Sequence, residues 1–237
     1  MNQPAHVCAI IPAYNEADRV GATVTAVAGI AAVREVIVID DGSSDHTAQA
    51  ALSAGARVIR HRRNHGKAAA LTTGAVAATG PLLLFADADL GETAAATEPL
   101  LGPVVAGSAD MSIALLPAQQ TPGGGRGRVV RTARAGIEAA TGWRATQPLS
   151  GMRCLRRDAL ADALPLAPGW GVETALTIDL LRAGRTVREV PCQLQHRVSP
   201  DTLAGARHRA AQLRDVVAAL AARGVARQAV ASATTGR

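Results

Sequence analysis

Short apolar runs alternate with polar loops and helix-like segments through the first 90 residues. Four runs are predicted to be strands, at residues 7–11, 35–39 and 57–60 and at the start of the stretch 82–90. The segments after the first three carry apolar residues at helical spacing, which predicts helices over about 17–31, from about 46 and over about 67–78. This repeated order of strand, loop and helix predicts an α/β fold with a doubly wound, mostly parallel sheet flanked by helices.

Polar residues follow each predicted strand. In an open parallel sheet, ligands bind beyond the carboxyl ends of the strands, so these loops are expected to meet in one crevice. The loop after the fourth strand holds Asp87 and Asp89, whose hard carboxylate oxygens suit Mg²⁺ or Mn²⁺. Plain structural explanations also exist: Asp40 and Asp41 could cap the next helix, Pro12 could end its strand, and the Asp87 pair could be a solvated strand end.

Four motifs together resemble the nucleotide-sugar half of a family 2 glycosyltransferase of the GT-A fold. They are IPAYNEADRV, VIDDGSSDHT, RNHGKAAALTTG and FADADL, in this order and spacing over about residues 7–90. The resemblance implies one GT-A domain over residues 1–237. Its parts would be a nucleotide-sugar-binding half at about 7–115, an acceptor half at about 116–200, an amphipathic helix at 201–223 and a tail at 224–237.

The same resemblance implies roles for single residues. The nucleotide-sugar-binding set would be Pro12, Ala13, Tyr14, Glu16, Asp41, Lys67, Asp87, Ala88 and Asp89. Asp41 would accept a hydrogen bond from the base, and Lys67, the only lysine in the sequence, would lie against the base or the diphosphate. Mg²⁺ or Mn²⁺ on Asp87 and Asp89 would neutralise the leaving nucleoside diphosphate, which makes Asp89 a catalytic candidate.

A glycine-rich segment separates the two halves. A helix is predicted at 92–105 and a strand at 110–116, and residues 117–128 then lack periodicity and contain three consecutive glycines. This segment is either a mobile lid or an inert loop. Arg126 and Arg128, followed by Arg131 and Arg134 at helical spacing, would give it a basic mouth that suits a phosphate on the acceptor, although a run of arginines is ordinarily a solvated face. Gly125 is assigned to the same acceptor side.

The acceptor half carries two further motifs. QPLSGMRCLRR, residues 147–157, is similar to the acceptor-side strand of polyprenyl-phosphate (dolichyl-phosphate) sugar transferases and of glucosyl-3-phosphoglycerate synthases, which implies that Ser150 and Gly151 lie near the transferred sugar. Glu173 occupies the first turn of a helix predicted within 169–181, where the helix dipole alone favours a carboxylate. The resemblance suggests that Glu173 faces the sugar or acceptor, and in an inverting enzyme it could be the general base.

The last third adds a histidine and an amphipathic helix. A strand predicted at 186–195 leads to His196, which the phosphoglycerate-type relatives imply as a third metal ligand, and to Arg197, assigned to the acceptor side with the diphosphate in reach. A lone histidine is more commonly structural or solvated. The apolar stripe of the 201–223 helix could pack on its own domain, on a partner subunit in a homodimer or on a membrane surface. Residues from 226 are predicted to be a frayed tail.

The composition of the chain limits the classes of ligand and partner that it can bind. The net charge of +6 suits anionic ligands, and the aromatic content of 2% argues against single-stranded nucleic acid. No run of eighteen apolar residues or signal peptide is seen, so a cytoplasmic location is predicted, with peripheral contact at the inner membrane face as an option. Three scattered cysteines lack zinc-ligand spacing.

The predicted function is therefore metal-dependent transfer of a hexose from a UDP- or GDP-sugar to a phosphate-bearing acceptor. Polyprenyl phosphate and phosphoglycerate are the two acceptor candidates. The alternatives are a nucleotidyltransferase and a noncatalytic nucleotide-sugar-binding protein. A nucleotidyltransferase would be expected to carry a glycine-rich phosphate loop near the first strand, and PAYNEADR lacks it.

Overall fold

The computed structural model describes residues 6–117, 127–194 and 203–235. Its centre is a seven-stranded sheet with the order β3-β2-β1-β4-β6-β5-β7. The strands β1 to β7 are Val7–Ala13, Val33–Asp40, Arg57–Arg60, Leu82–Phe85, Met111–Leu115, Arg153–Arg156 and Val187–Pro191. β6 is antiparallel to β4 and β5, and the other pairs are parallel. The mostly parallel sheet predicted from the sequence is therefore confirmed.

The alternation of side chains along the central strand explains why both faces of the sheet are covered. Successive residues of a strand point to opposite faces. Val7, Ala9 and Ile11 pack in one apolar layer with α1, whereas Cys8 and Ile10 pack in the opposite layer with α3. All five are completely buried. A continuous apolar run of this kind is expected for a parallel strand with helices on both sides.

Nine α-helices surround the sheet in the described part of the chain. From α1 to α9 they are Val20–Ala28, Thr47–Ser53, Lys67–Ala77, Leu101–Val105, Arg128–Thr141, Arg157–Ala161, Val172–Arg182, Leu203–Ala221 and Ala226–Thr235. Two 3₁₀ segments, Gly91–Leu100 and Gly169–Gly171, precede α4 and α7. None of the helices in these described ranges is long and apolar enough to cross a membrane.

Three predicted boundaries were wrong for local reasons. α1 begins at Val20 rather than near residue 17, because the preceding residues form turns in which the Arg19 and Val20 N–H groups both donate to the carbonyl of Glu16. The helix predicted at 92–105 is a 3₁₀ segment followed by the short α4, and this segment contains Pro99, which lacks a backbone N–H. β7 ends at Pro191, where the predicted strand was longer.

The carboxyl-terminal helices form a third layer over α5 and α7. Val216 and Leu220 of α8 are fully buried against Ile137 of α5 and Ile178 of α7. The apolar stripe of α8 therefore packs on its own domain, and its buried positions include Val216, Ala219 and Leu220. The prediction of a frayed tail was wrong, because α9 packs against α5.

Replacing Ala229 by aspartate tests this packing of α9. Ala229 is completely buried, so a carboxylate there would lose water without gaining a partner. We expect the variant to lose about 3 kcal/mol or more of unfolding free energy, measured by thermal and denaturant unfolding. Gln228→Asp is the matched control, because Gln228 is exposed on the same helix. Equal stability of the two variants would contradict the packing of α9.

Candidate active site

The loop after β1 is tied to the loop after β2. Asn15 has a left-handed backbone (φ 55°), which asparagine tolerates better than most residues. Its side-chain oxygen accepts the Ser44 N–H at 2.9 Å, and its own N–H donates to Ser43 Oγ at 2.9 Å. The Glu16 N–H donates to Thr47 Oγ1 at 2.8 Å. These bonds hold the predicted nucleotide residues Pro12 to Glu16 in one defined loop.

Asp41 holds the basic loop after β3. Its buried carboxylate accepts the backbone N–H of His65 at 3.0 Å and of Gly66 at 2.7 Å, and His61 Nδ1 lies 2.6 Å away. Because both oxygens are engaged, Asp41 orders the residues that lead directly into Lys67. Neither Asp40 nor Asp41 caps α2, since Asp40 accepts the Ser43 N–H and Asp45 accepts the Thr47 N–H.

Lys67, Asp87 and Glu173 form the charged centre of the site. Lys67 is the first residue of α3, and its ammonium lies 2.7 Å from Asp87 Oδ1 and 2.9 Å from Glu173 Oε1. Burial lowers the pKa of the Lys67 ammonium, but the two carboxylates outweigh that effect and keep the pKa above its ordinary value. Lys67 is therefore charged at neutral pH and joins three elements that are distant in the sequence.

The DxD loop is fixed from behind by α1. The fully buried Thr23 hydroxyl donates to the carbonyl of Ala88 at 2.8 Å and accepts the Gly91 N–H at 2.8 Å. Arg19 donates to the carbonyl of Asp89 at 3.1 Å. Ala88 is buried while Asp89 is partly exposed, so this loop presents the Asp89 side chain at the carboxyl edge of the sheet.

The turn before β6 lies directly against the charged centre. A Cβ atom added to Gly151 would lie 2.5 Å from Lys67 Nζ and 3.0 Å from each carboxylate oxygen of Asp87. A real Cβ essentially never comes this close, so any other residue here would force the Lys67 ammonium or the Asp87 carboxylate to shift. Ser150 is buried, and its hydroxyl has no partner in the described part of the chain.

The predicted site residues fall into four groups. Lys67 contacts Asp87, Glu173 and the turn at Gly151 directly. The end of β1 and the neighbouring loops carry Pro12, Ala13, Tyr14, Glu16, Asp41, Ala88, Asp89 and Ser150. Arg128 begins α5 and is exposed. Gly125, Arg126, His196 and Arg197 lie outside the described residues.

Sequence reasoning missed three residues that support the site. Arg19 and Thr23 hold the DxD loop, and Arg153 is fully buried beside Glu173. Thr23 follows the apolar spacing of α1, so a polar residue on that buried face was a usable signal. Arg153 gave none, since MRCLRR presents several arginines that look alike in sequence.

The donor atoms suit a hard divalent cation. No group of three His, Cys, Asp or Glu side chains within residues 6–117, 127–194 and 203–235 could hold a metal ion. Mg²⁺ is commonly bound by one or two carboxylates together with substrate phosphates, and Asp87 and Asp89 supply such carboxylates at one strand end. The residues present therefore fit the cation, with Asp89 the more available because Asp87 is bonded to Lys67.

Comparison with known proteins agrees with this arrangement. The family model described as glycosyl transferase family 2 matches residues 8–164. This chain belongs to glycosyltransferase family 2. The resemblance carried by the four sequence motifs is thereby confirmed, and with it the expectation of a GT-A-type α/β fold.

Two relatives are similar in sequence to different lengths of this chain. Glucosyl-3-phosphoglycerate synthase of Mycolicibacterium smegmatis is 32% identical over 193 residues, which cover 73% of this chain and 63% of the relative. The match thus spans less than two thirds of that curated relative's length. Undecaprenyl-phosphate 4-deoxy-4-formamido-L-arabinose transferase of Salmonella choleraesuis is 34% identical over 94 residues, which cover 35% of this chain and 29% of the relative.

A solved structure is similar over most of the fold. It is a crystal structure of glucosyl-3-phosphoglycerate synthase from Mycobacterium tuberculosis in complex with Mn²⁺, uridine diphosphate and phosphoglyceric acid. The TM-score is 0.77 at 29% identity, and the superposition covers 92% of this chain and 78% of that chain. The similarity therefore includes both the nucleotide half and the acceptor half.

Proposed function

We propose that this chain transfers a glucose-type hexose from a UDP-sugar to a small phosphate-bearing acid, with Mg²⁺ or Mn²⁺ as cofactor. The proposal rests on the contact of Lys67 with both Asp87 and Glu173, against which the turn at Gly151 packs. This cluster joins the nucleotide half to the acceptor half at the carboxyl edge of the sheet. A site that only bound a nucleotide would not need the contribution of Glu173 or Gly151.

The charges of the site favour a divalent cation. One ammonium, that of Lys67, lies among the carboxylates of Asp87, Glu173 and Asp89 on adjoining loops. A nucleoside diphosphate adds further negative charge, so it would be repelled unless a cation accompanied it. A bound Mg²⁺ or Mn²⁺ would supply this neutralisation when the diphosphate leaves. Asp89, with Asp87 beside it, would hold the ion.

The protein's own residues would then bind and orient the substrates. Asp41 keeps the 61–66 loop in place, so that Lys67 enters the site at a fixed position. Lys67 anchors the carboxylate of Glu173, whose backbone begins α7 on the acceptor side. The absence of a side chain at Gly151 lets this turn lie against the Lys67–Asp87 pair, where the transferred sugar is proposed to bind. Base catalysis by Glu173 remains a prediction, because a base is needed if an acceptor hydroxyl attacks and not if an ionised acceptor phosphate does.

A phosphoglycerate-type acceptor is favoured over a polyprenyl phosphate. The solved synthase with phosphoglyceric acid matches 92% of this chain, acceptor half included, whereas the polyprenyl-phosphate enzyme matches 35%. Arg128 at the start of α5 is the described basic residue proposed for the acceptor phosphate. The same proposal assigns Gly125, Arg126 and Arg197 to the acceptor-binding side.

Nucleoside diphosphate release from a panel of donors and acceptors tests the function. UDP-glucose, UDP-galactose and GDP-mannose would each be combined with 3-phosphoglycerate, glycerol 3-phosphate or a short polyprenyl phosphate, with Mn²⁺ or with a chelator. We expect release with a UDP-sugar and phosphoglycerate, and its loss on chelation. Release of pyrophosphate in a parallel reaction with UTP and glucose 1-phosphate would instead indicate a nucleotidyltransferase, and UDP-sugar binding without any turnover would indicate a noncatalytic binding protein.

Metal-dependent UDP affinity tests the ligand set separately. We expect Asp89→Ala and His196→Ala each to weaken UDP binding in Mn²⁺ by about tenfold, with little change in the weak binding measured with chelator. Asp18→Ala is the matched control, since Asp18 is an exposed carboxylate in the loop that precedes α1. Unchanged Mn²⁺-dependent affinity in His196→Ala would remove that histidine from the ligand set.

Membrane contact and a homodimer remain predictions with less support. Both were expected to use the apolar stripe of the carboxyl-terminal helix, and Val216 and Leu220 of that helix are buried within this domain. Either association would have to use a different surface. Vesicle sedimentation and sedimentation velocity would detect them, and neither is required for the proposed reaction.

A further inference from the structure

Arg153 is a deeply buried charged side chain next to the proposed site. It opens β6 and is 1% exposed. Its Nε donates to the carbonyl of Ser150 at 2.9 Å, and its Nη1 donates to Thr177 Oγ1 at 2.9 Å. Its Nη2 has no partner in the described part of the chain. The guanidinium therefore bridges the turn before β6 and the helix α7.

Each end of this bridge leads to the charged centre. The Ser150 carbonyl belongs to the turn that contains Gly151, which lies against Lys67 and Asp87. The Thr177 hydroxyl donates in turn to the carbonyl of Glu173 at 2.9 Å. Arg153 thus holds two backbone segments in place. One carries Gly151 and the other carries Glu173, and both residues lie against the Lys67 ammonium.

The burial of Arg153 is costly for the fold. Glu173 forms its ion pair with Lys67, so in the described residues Arg153 donates hydrogen bonds to neutral oxygen and sulfur atoms and has no carboxylate partner. Burial lowers the pKa of Arg153 to about 10, while the charges of Glu173 and Glu189 act in the opposite direction. Buried charges of this kind can often be replaced by apolar residues without loss of stability. Three of the four buried polar atoms without a partner in the described chain belong to Ser150, Arg153 and Thr174.

We propose that Arg153 is a positioning residue that sets the geometry of the Lys67, Asp87 and Glu173 cluster through Ser150 and Thr177. It touches none of the three side chains through a hydrogen bond; it acts on the backbone segments that carry Gly151 and Glu173. A cost in stability beside a reactive site is a common feature of residues kept for function. The role in turnover rests on the proposed glycosyl transfer, whereas the role in cluster geometry does not.

Arg153→Met separates function from folding. Methionine fills a similar length without a charge, so we expect its thermal unfolding temperature to equal or exceed that of the wild type. We expect kcat to fall about tenfold with a donor KM within about threefold, because the cluster is misplaced and not removed. Arg157→Met is the matched control: Arg157 also binds backbone carbonyls, at Gly80, Ala75 and Ala78, but away from the cluster. The Arg157→Met variant should be less stable than the wild type and have an unchanged kcat.

Acylation of Lys67 gives a readout that does not depend on turnover. Lys67 is the only lysine, so an amine-acylating reagent modifies one side chain, and mass spectrometry of its peptide measures the rate. The contacts with the Asp87 and Glu173 carboxylates, at 2.7 and 2.9 Å, restrict the approach of the reagent to the ammonium. We expect acylation to be about tenfold faster in Arg153→Met, because the loosened cluster opens more often and exposes the amine, and unchanged in Arg157→Met.

The outcomes of these measurements are distinct. If the wild type transfers no sugar, the proposed function fails while the acylation rates still decide the role of Arg153. Wild-type kcat and acylation rate in Arg153→Met would overturn the inference, as would a loss of activity explained by lower thermal stability. If Arg153→Met does not fold, Thr177→Val, which breaks one arm of the bridge, must show faster acylation for the inference to stand.

Discussion

Replacing Lys67 by methionine is expected to lower kcat/KM by about 100-fold or more, in the range measured when a preorganised charged donor is removed from an active site. The variant loses the ammonium that bonds both Asp87 and Glu173. The two carboxylates would then repel each other and separate, which misplaces the DxD loop and the start of α7 together. Initial rates with the active donor and acceptor pair measure the effect.

The controls for Lys67 distinguish charge from geometry. Lys67→Arg keeps the positive charge, but its planar fork cannot replace a compact ammonium between two carboxylates, so we expect it also to be impaired. Arg34→Met removes an exposed cation at the opposite end of β2 and should retain full activity. A Lys67→Met enzyme with unchanged kcat/KM and normal folding would contradict the central role of the cluster.

The second large effect is expected from Gly151→Ala. The added methyl group would overlap the Lys67 ammonium at 2.5 Å and both Asp87 oxygens at 3.0 Å. The lysine cannot move away freely because two carboxylates hold it. Since displacements of about 1 Å in a reacting site can reduce turnover about 100-fold, we expect a loss of this size in kcat, with the fold retained.

Gly102→Ala is the matched substitution for this experiment. A Cβ at Gly102 would meet nothing within 4 Å, and alanine is the better helix former in α4. We expect its activity and stability to equal those of the wild type. If Gly151→Ala were equally silent, the close approach of the turn before β6 would have no part in turnover.

The nucleotide half could be predicted closely from the sequence because its information is local. Runs such as VCAII predict strands buried on both faces, and in β1 neighbouring residues do pack in opposite layers. The loops that follow parallel strands must lie at the same edge of the sheet. For that reason the positions of Asp41, Lys67 and Asp87 at one edge followed from the order of the motifs.

The acceptor half was harder to predict because its important contacts are non-local. Glu173 was assigned to the site by resemblance, but its bond to Lys67 requires α3 and α7 to meet over the sheet. The position of β6 between β4 and β5, antiparallel to both, brings Gly151 to that place. No periodicity in the sequence encodes the order of strands in a sheet.

The sequence by itself determined the strand-and-helix rhythm, the family and the set of candidate side chains, because these depend on residue type and short-range spacing. Only the tertiary structure decided which candidates pair. It joined Lys67 to both Asp87 and Glu173, engaged Asp41 with the 61–66 loop, buried Arg153 and turned the expected tail into α9. The physical reason is that burial and ion pairing depend on which segments pack together, and this is settled by the whole fold.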